Sequence, residues 1–167
     1  IWDKNGKEYL DMIAGVAVNN IGHRHPEVVK AIKDQVDRFL HVMVYGEYIQ
    51  EAPVKLCKLL SDNLPPNLSS TYLTNSGTEA IEGALKLAKR VTGRSEIIAA
   101  NSAYHGNTMG SLSIMGYEER KQPFGPLLPD CTPIAFNDLA DLSKITDKTA
   151  AVVLPPNGRI HRPRNKR

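Results

Sequence analysis

One junction in the 167-residue sequence carries residue types suited to holding an anion: Leu73-Thr74-Asn75-Ser76-Gly77-Thr78-Glu79-Ala80. A short strand over Ser70–Thr74 is expected to end there, with Asn75-Ser76-Gly77 as the turn and a helix running from Thr78 to about Val91. A helix start presents unpaired backbone N–H groups and about half a positive charge. Gly77 would let an anion come close to the backbone, and Ser76 and Thr78 would add hydroxyl donors, which together make a phosphate cradle. The same residues fit a plain helix cap, with Ser76 or Thr78 as N-cap and Glu79 or Glu82 closing a capping box. Spacing alone leaves both readings open.

Other chemistries find less support. GxGxxG, GxxxxGK[ST] and GxSxG are all absent from the sequence, which removes the usual motif arguments for a dinucleotide fold, a P-loop enzyme or a nucleophile-elbow hydrolase. His23-Arg24-His25 has no cysteine or acidic cluster nearby, so no metal site is expected. His41 reads as a helix-end residue, and Lys86 and Lys89 as solvated charges. Cys57 lies among Leu56, Leu59 and Leu60 and reads as a buried thiol. With Cys131 as the only other cysteine, no disulfide framework is indicated and a reducing, cytoplasmic setting is expected.

The elements that must position the turn follow from periodicity. Ile1-Trp2-Asp3 and Glu8-Tyr9-Leu10 flank Lys4-Asn5-Gly6-Lys7, which predicts a β-hairpin with positive φ at both Asn5 and Gly6. Gly15–Gly22 reads as extended or looped. Pro26 opens a helix in which Val28, Val29, Ile32, Val36 and Phe39 recur on one face. A second helix is expected over Glu51–Asn63, stopped by Pro65-Pro66. After the helix that follows the turn, Gly93 supplies the C-terminal stop. Glu96–Ala100 and Thr149–Leu154 read as strands, Thr108–Met115 as a short helix, Gln122–Pro133 as a loop and Asn137–Leu142 as helical. Strand alternating with helix predicts an α/β fold with a mostly parallel sheet.

Composition bounds the function class. The sequence is 41% apolar and 23% charged, ordinary for a globular protein. No apolar run is long enough for a membrane helix, and nothing at the start reads as a signal peptide. Ile1 is expected to lie inside a fold rather than to begin one. The net charge of +3 depends on five basic residues, Arg159, Arg162, Arg164, Lys166 and Arg167; without them it is 3 − 5 = −2. A nucleic-acid binder would carry its positive charge across the body, so that class is disfavoured. The shift in composition after Leu154 reads as a non-native or disordered ending, with an electrostatic arm for nucleic acid or acidic lipid as the second reading.

Asn75–Ala88 resembles the segment of class III aminotransferases that holds the phosphate of pyridoxal 5′-phosphate. Three further blocks resemble the same family in the same order: Trp2–Asp11, Asn19–Pro26 and Ala103–Thr108, so the likeness covers roughly residues 1–154. It implies part of the large domain of a fold-type-I pyridoxal-phosphate enzyme, with residues 1–45 as a small N-terminal segment, 46–154 as the first half of the cofactor domain and 155–167 as an atypical tail. It also implies amino-group transfer from an amine or amino acid to a 2-oxo acid, in a homodimer. Racemisation or an amino shift on the same scaffold is the alternative chemistry, and an inactive assembly module the alternative role.

By the same likeness, Ser76, Gly77 and Thr78 would hold the phosphate and Tyr104 would stack on the pyridine ring, where an aromatic face packs without competing for polar groups. His105 falls in the cofactor block, and Gly106 is expected to permit close backbone approach. At Asn107 the chain departs from members that carry Arg as a carboxylate clamp. That departure leaves the donor open between acetylornithine-, ornithine- or 4-aminobutyrate-like substrates and other amines. The acid that pairs with the pyridine nitrogen and the Schiff-base lysine match no residue of the chain, so no catalytic residue is assigned and the chain alone is expected to be inactive. Missing later strands would leave a sheet edge and a face bare, which predicts poor solubility.

Overall fold

The computed structural model describes residues 1–43 and 46–155. Contacts divide the chain into two units, one ending at Ser69 and one beginning at Ser70. The division falls after the Glu51–Asn63 helix, whereas the sequence reading places a boundary before it. The expectations for the basic tail from residue 156 on lie outside the described residues.

In the first unit the hairpin forms, with Trp2 bridged antiparallel to Glu8. Its turn differs from expectation: Gly6 has a positive φ of 81°, but Asn5 does not. The reason is Asp3, whose Oδ1 accepts from the amides of Asn5 and Lys7 at 2.9 and 3.1 Å and fixes the turn through its side chain. The stretch read as extended or looped is not extended at its start: it opens on a single turn, α1 (Ala14–Ala17), whose four residues all have positive φ. Val16 is β-branched and sits at φ 63°, a conformation that costs about 1–3 kcal/mol. Asp11 anchors the turn: Oδ1 accepts from the amides of Ile13 and Ala14, and Oδ2 lies 2.6 Å from His23 Nε2. The His23 contact, followed by the amides of Ala14 and Ile13, holds the Asp11 carboxyl at about 2.

Two helices complete this unit, α2 (Pro26–Arg38) and α3 (Glu51–Asn63). Pro26 takes the first turn of α2, where its missing N–H costs no helical bond. No described residue of the unit is buried. The apolar face predicted for α2 is present but open, with Ile32 59% exposed.

The second unit holds the core. α4 (Gly77–Thr92) starts one residue before the expected Thr78 and ends on Gly93, whose φ of 68° allows the left-handed cap. Three strands, β1 (Glu96–Ala100), β2 (Cys131–Ile134) and β3 (Thr149–Val153), form an all-parallel sheet in the order β2-β1-β3. The central strand is buried on both faces, so Ile97-Ile98-Ala99-Ala100 is a continuous apolar run rather than an alternating one. Ile97 and Ala99 pack with Leu85 of α4 and with Ile114, flanked by Ile81, Ala151 and Val153. The short helix α5 (Met109–Ser113) lies within the predicted 108–115 segment.

Three expectations fail here. Ser70–Thr74 forms no strand, because no described strand pairs with it. β2 falls mostly within the segment read as a loop for its four prolines; Pro133 is accommodated because β2 is an edge strand of this sheet, where a missing N–H is tolerated. The expected helix over 137–142 is a short 3-10 turn, Ala140–Lys144, preceded by Asn137 at φ 62°. A further short helix, α6 (Glu118–Lys121), had no expectation.

Candidate functional site

The site is built where α4 begins and where β1 hands over to α5. Ser76 is the N-cap of α4, and its Oγ accepts from the Glu79 amide at 3.3 Å. Glu79 reaches back, but to the amide of Asn75 (2.7 Å) rather than to that of Ser76, so the reciprocal cap is shifted by one residue. The capping reading is therefore correct for Ser76, and it leaves the phosphate reading intact. Ser76 Oγ keeps its own hydrogen to donate, and the amides of Gly77 and Thr78 have no acceptor among the described residues. A Cβ built on Gly77 would meet nothing within 4 Å. Open space, two unpaired amides and a hydroxyl at a helix start fit a phosphate group.

Thr78 is not the free donor expected from the sequence. Its Oγ1 lies 2.8 Å from Thr108 Oγ1 and 2.7 Å from Ser111 Oγ, and it also accepts from the Thr108 amide at 3.4 Å. The hydroxyl thus faces α5 and ties the turn to the segment that carries Tyr104–Asn107.

That segment leaves β1 at the carboxyl end of the central parallel strand, where α/β sheets present ligands. It is braced from behind. Tyr117 donates its hydroxyl to the Ser102 carbonyl at 2.9 Å, and Gly116 exchanges backbone bonds with Ser102 and Ala103. Gly106, at φ 129°, lies so close to Thr78 that an added Cβ would come within 2.2 Å of Thr78 Oγ1. The expected close backbone approach is therefore real, and its partner is the turn itself.

The structure joins the turn to the end of the segment that carries Tyr104, His105 and Asn107. Ser76, Gly77 and Thr78 form the turn, and Thr78 bonds directly to the residue that follows Asn107. Tyr104 is 59% exposed, leaving an aromatic face available for stacking. Asn107 is exposed as well. His105 is buried, its Nε2 has no hydrogen-bond partner, and burial pushes its pKa down, which favours the neutral ring. Among the described residues no group of three metal-ligating side chains occurs, and no helix is long and apolar enough to cross a membrane.

Sequence reasoning assigned Glu82 to a possible cap on α4 and missed Ser111 and the bonding role of Thr108. Glu82 instead leaves α4 and binds α5, accepting from Thr108 Oγ1 at 2.5 Å and from the Ser111 amide at 3.0 Å. Thr108-x-x-Ser111 has capping-box spacing, with the Thr108 amide donating to Ser111 Oγ at 3.1 Å while the Ser111 amide goes to Glu82. That spacing could have revealed the pair, but Ser at the third helical position is a weak signal beside Glu or Gln.

Comparison with known proteins adds family and fold. Residues 1–156 match the family model for class-III aminotransferases. The chain is 41% identical over 157 residues to an acetylornithine aminotransferase from Methanopyrus kandleri, covering 93% of this chain and 40% of that protein. It is 38% identical over 158 residues to a [LysW]-aminoadipate semialdehyde/glutamate semialdehyde transaminase from Sulfolobus acidocaldarius, with 93% and 40% covered. Among solved structures, an adenosylmethionine-8-amino-7-oxononanoate aminotransferase from Methanocaldococcus jannaschii superposes with a TM-score of 0.80 at 28% identity, over 90% of this chain and 37% of that one. A taurine:2-oxoglutarate aminotransferase from Bifidobacterium kashiwanohense, solved with PLP and glutamate, gives 0.76 at 28% identity, over 92% and 40%. The chain spans about two fifths of the length of these relatives.

Proposed function

The chain belongs to the class III aminotransferase family, and on that premise we propose that it is the portion of a pyridoxal-phosphate-dependent transaminase that seats the cofactor's phosphate and ring. The observation that carries this reading is the bonded pair of segments: an open turn with two unpaired amides at Gly77 and Thr78, tied through Thr78 to the segment that exposes Tyr104. Ser76 Oγ and the two amides bind the phosphate, aided by the positive end of α4. Tyr104 stacks on the ring and sets its plane. Asn107, neutral and exposed, contacts the substrate and offers a hydrogen bond in place of a guanidinium clamp.

When bound, pyridoxal phosphate supplies the electron sink that lets a substrate C–H bond be broken. The residues of this chain do the holding. The turn neutralises the phosphate charge, Tyr104 fixes the ring, and Gly106 lets the two approach. No residue of this chain matches the family's anchoring lysine or its acid for the pyridine nitrogen, so the chain alone binds the cofactor weakly and transfers nothing. The anchoring lysine and the acid for the pyridine nitrogen belong to a longer protein that works as a homodimer in the cytoplasm.

The substrates are an amino acid or amine donor and a 2-oxo acid acceptor. Acetylornithine is the first donor to test, because the relatives near 40% identity include enzymes named for it. The test is an assay of the complete protein carrying this segment, with acetylornithine and 2-oxoglutarate, reading glutamate formed. Formation of glutamate, lost on Gly77→Val, is the expected result. No glutamate from any donor, with isomerised substrate instead, would turn the reading to a racemase or aminomutase.

A further inference from the structure

The four-residue clasp between α4 and α5 does more than close a gap in the fold. Glu82 lies one and a half turns into α4, beyond reach of that helix's own start, and its carboxylate is spent on the neighbouring helix. Oε1 accepts from Thr108 Oγ1 and from the Ser111 amide. Thr108 Oγ1 in turn lies 2.8 Å from the Oγ1 of Thr78, the third residue of the phosphate turn. Ser111 Oγ closes the ring, 2.7 Å from Thr78 Oγ1 and 3.1 Å from the Thr108 amide that donates to it.

Two glycines show how closely the parts are fitted. A Cβ on Gly110 would lie 2.2 Å from Glu82 Oε2, and one on Gly106 would lie 2.2 Å from Thr78 Oγ1. Burial pushes the Glu82 pKa up, but hydrogen bonds from Thr108, Ser111 and Gly110 outweigh it, with Lys86 adding attraction, so the net shift is downward. The group is a carboxylate at neutral pH and acts as a pure acceptor.

We propose that Glu82 is a positioning residue that sets the separation between the phosphate turn and the Tyr104 segment, by clasping Thr108 and Ser111 while Thr108 clasps Thr78. The inference rests on the cofactor reading above. A ligand that spans both contacts, phosphate and ring, is bound well only if their spacing is fixed beforehand; a ligand that touches one contact is indifferent to it.

The test uses the full chain and three probes: pyridoxal 5′-phosphate, pyridoxal and inorganic phosphate, titrated calorimetrically. Glu82→Ala is expected to weaken pyridoxal phosphate by roughly tenfold, in the range of measured couplings between bonded neighbours, while inorganic phosphate binds as in the unaltered chain. Glu82→Gln, which keeps an acceptor for Thr108, is expected to recover most of the affinity. Thr108→Val opens the same clasp without touching the carboxylate and should reproduce the loss, so it decides the matter if Glu82→Ala fails to fold. Equal weakening of pyridoxal phosphate and inorganic phosphate, or wild-type affinity in both Glu82→Ala and Thr108→Val, overturns the proposal. An unaltered chain that binds neither phosphate ligand overturns the cofactor reading, and this inference with it.

Discussion

Helices α2 and α4 are patterned by the same rule and end in opposite conditions. Both carry an apolar stripe at helical spacing. α4 buries Leu85 against β1 and packs Ile81 beside it, whereas α2 leaves Val28, Ile32 and Val36 at least 43% exposed. The difference is one of partners. α4 has a parallel sheet in its own unit to cover its stripe; α2 has none among the described residues of its unit. Periodicity reveals which face of a helix seeks burial, and says nothing of whether the neighbour that provides it lies within the same stretch of chain.

The contrast can be tested by substitution. Ile97→Ala, in the fully covered centre of β1, should destabilise the second unit by about 3 kcal/mol, the usual cost of a core isoleucine. Ile32→Ala on α2 should change stability by no more than about 0.5 kcal/mol. Chemical denaturation followed by circular dichroism reads both, and equal losses would erase the distinction between the two units.

A glycine pair sharpens it. Gly106→Ala must push a methyl group into Thr78 at a positive φ, and a loss of about 1–3 kcal/mol is expected. Gly6→Ala in the hairpin meets open space, so only the positive φ opposes it, at about 1 kcal/mol. Melting temperatures of the two variants should rank in that order. The helix caps give a smaller effect in the same direction. Ser76→Ala removes a cap that is made and should cost about 1 kcal/mol. Gln50→Ala, at the start of α3, removes no capping bond and should stay within about 0.5 kcal/mol.

The smallest effect is in acid. Asp11 is held at about 2 against an ordinary 3.8. A depressed carboxylate pKa gives a contribution that is fully present above 3.8 and is lost as pH falls through about 2. Carboxyl NMR titration should find the Asp11 midpoint near 2 and see it move up in His23→Ala; an unmoved midpoint would remove His23 as its main cause.

Much of the second unit was legible because its signals are local. Gly93 stops α4 through its own backbone freedom, and Ile97–Ala100 announces a buried parallel strand by its unbroken apolar run. The strand expected at Ser70–Thr74 failed because a strand needs a partner, which composition cannot supply. β2 was hidden in a segment with four prolines, of which Pro133 falls on an edge strand, where its cost vanishes. At the site, the turn was readable from Ser76-Gly77-Thr78. The redirection of the Thr78 hydroxyl was not, since it depends on Thr108 and Ser111, some thirty residues away in sequence. Glu82, four residues after Thr78 rather than the three a capping box needs, was read as a local cap, and a long-range contact took it instead.

The phosphate turn is the centre of the functional reading, and amide NMR of the labelled chain addresses it directly. Adding inorganic phosphate or pyridoxal 5′-phosphate should shift the amide signals of Gly77 and Thr78 in a saturable way, while pyridoxal, which lacks the phosphate, should leave them in place. Gly77 and Thr78 signals that stay fixed through a phosphate titration would contradict it.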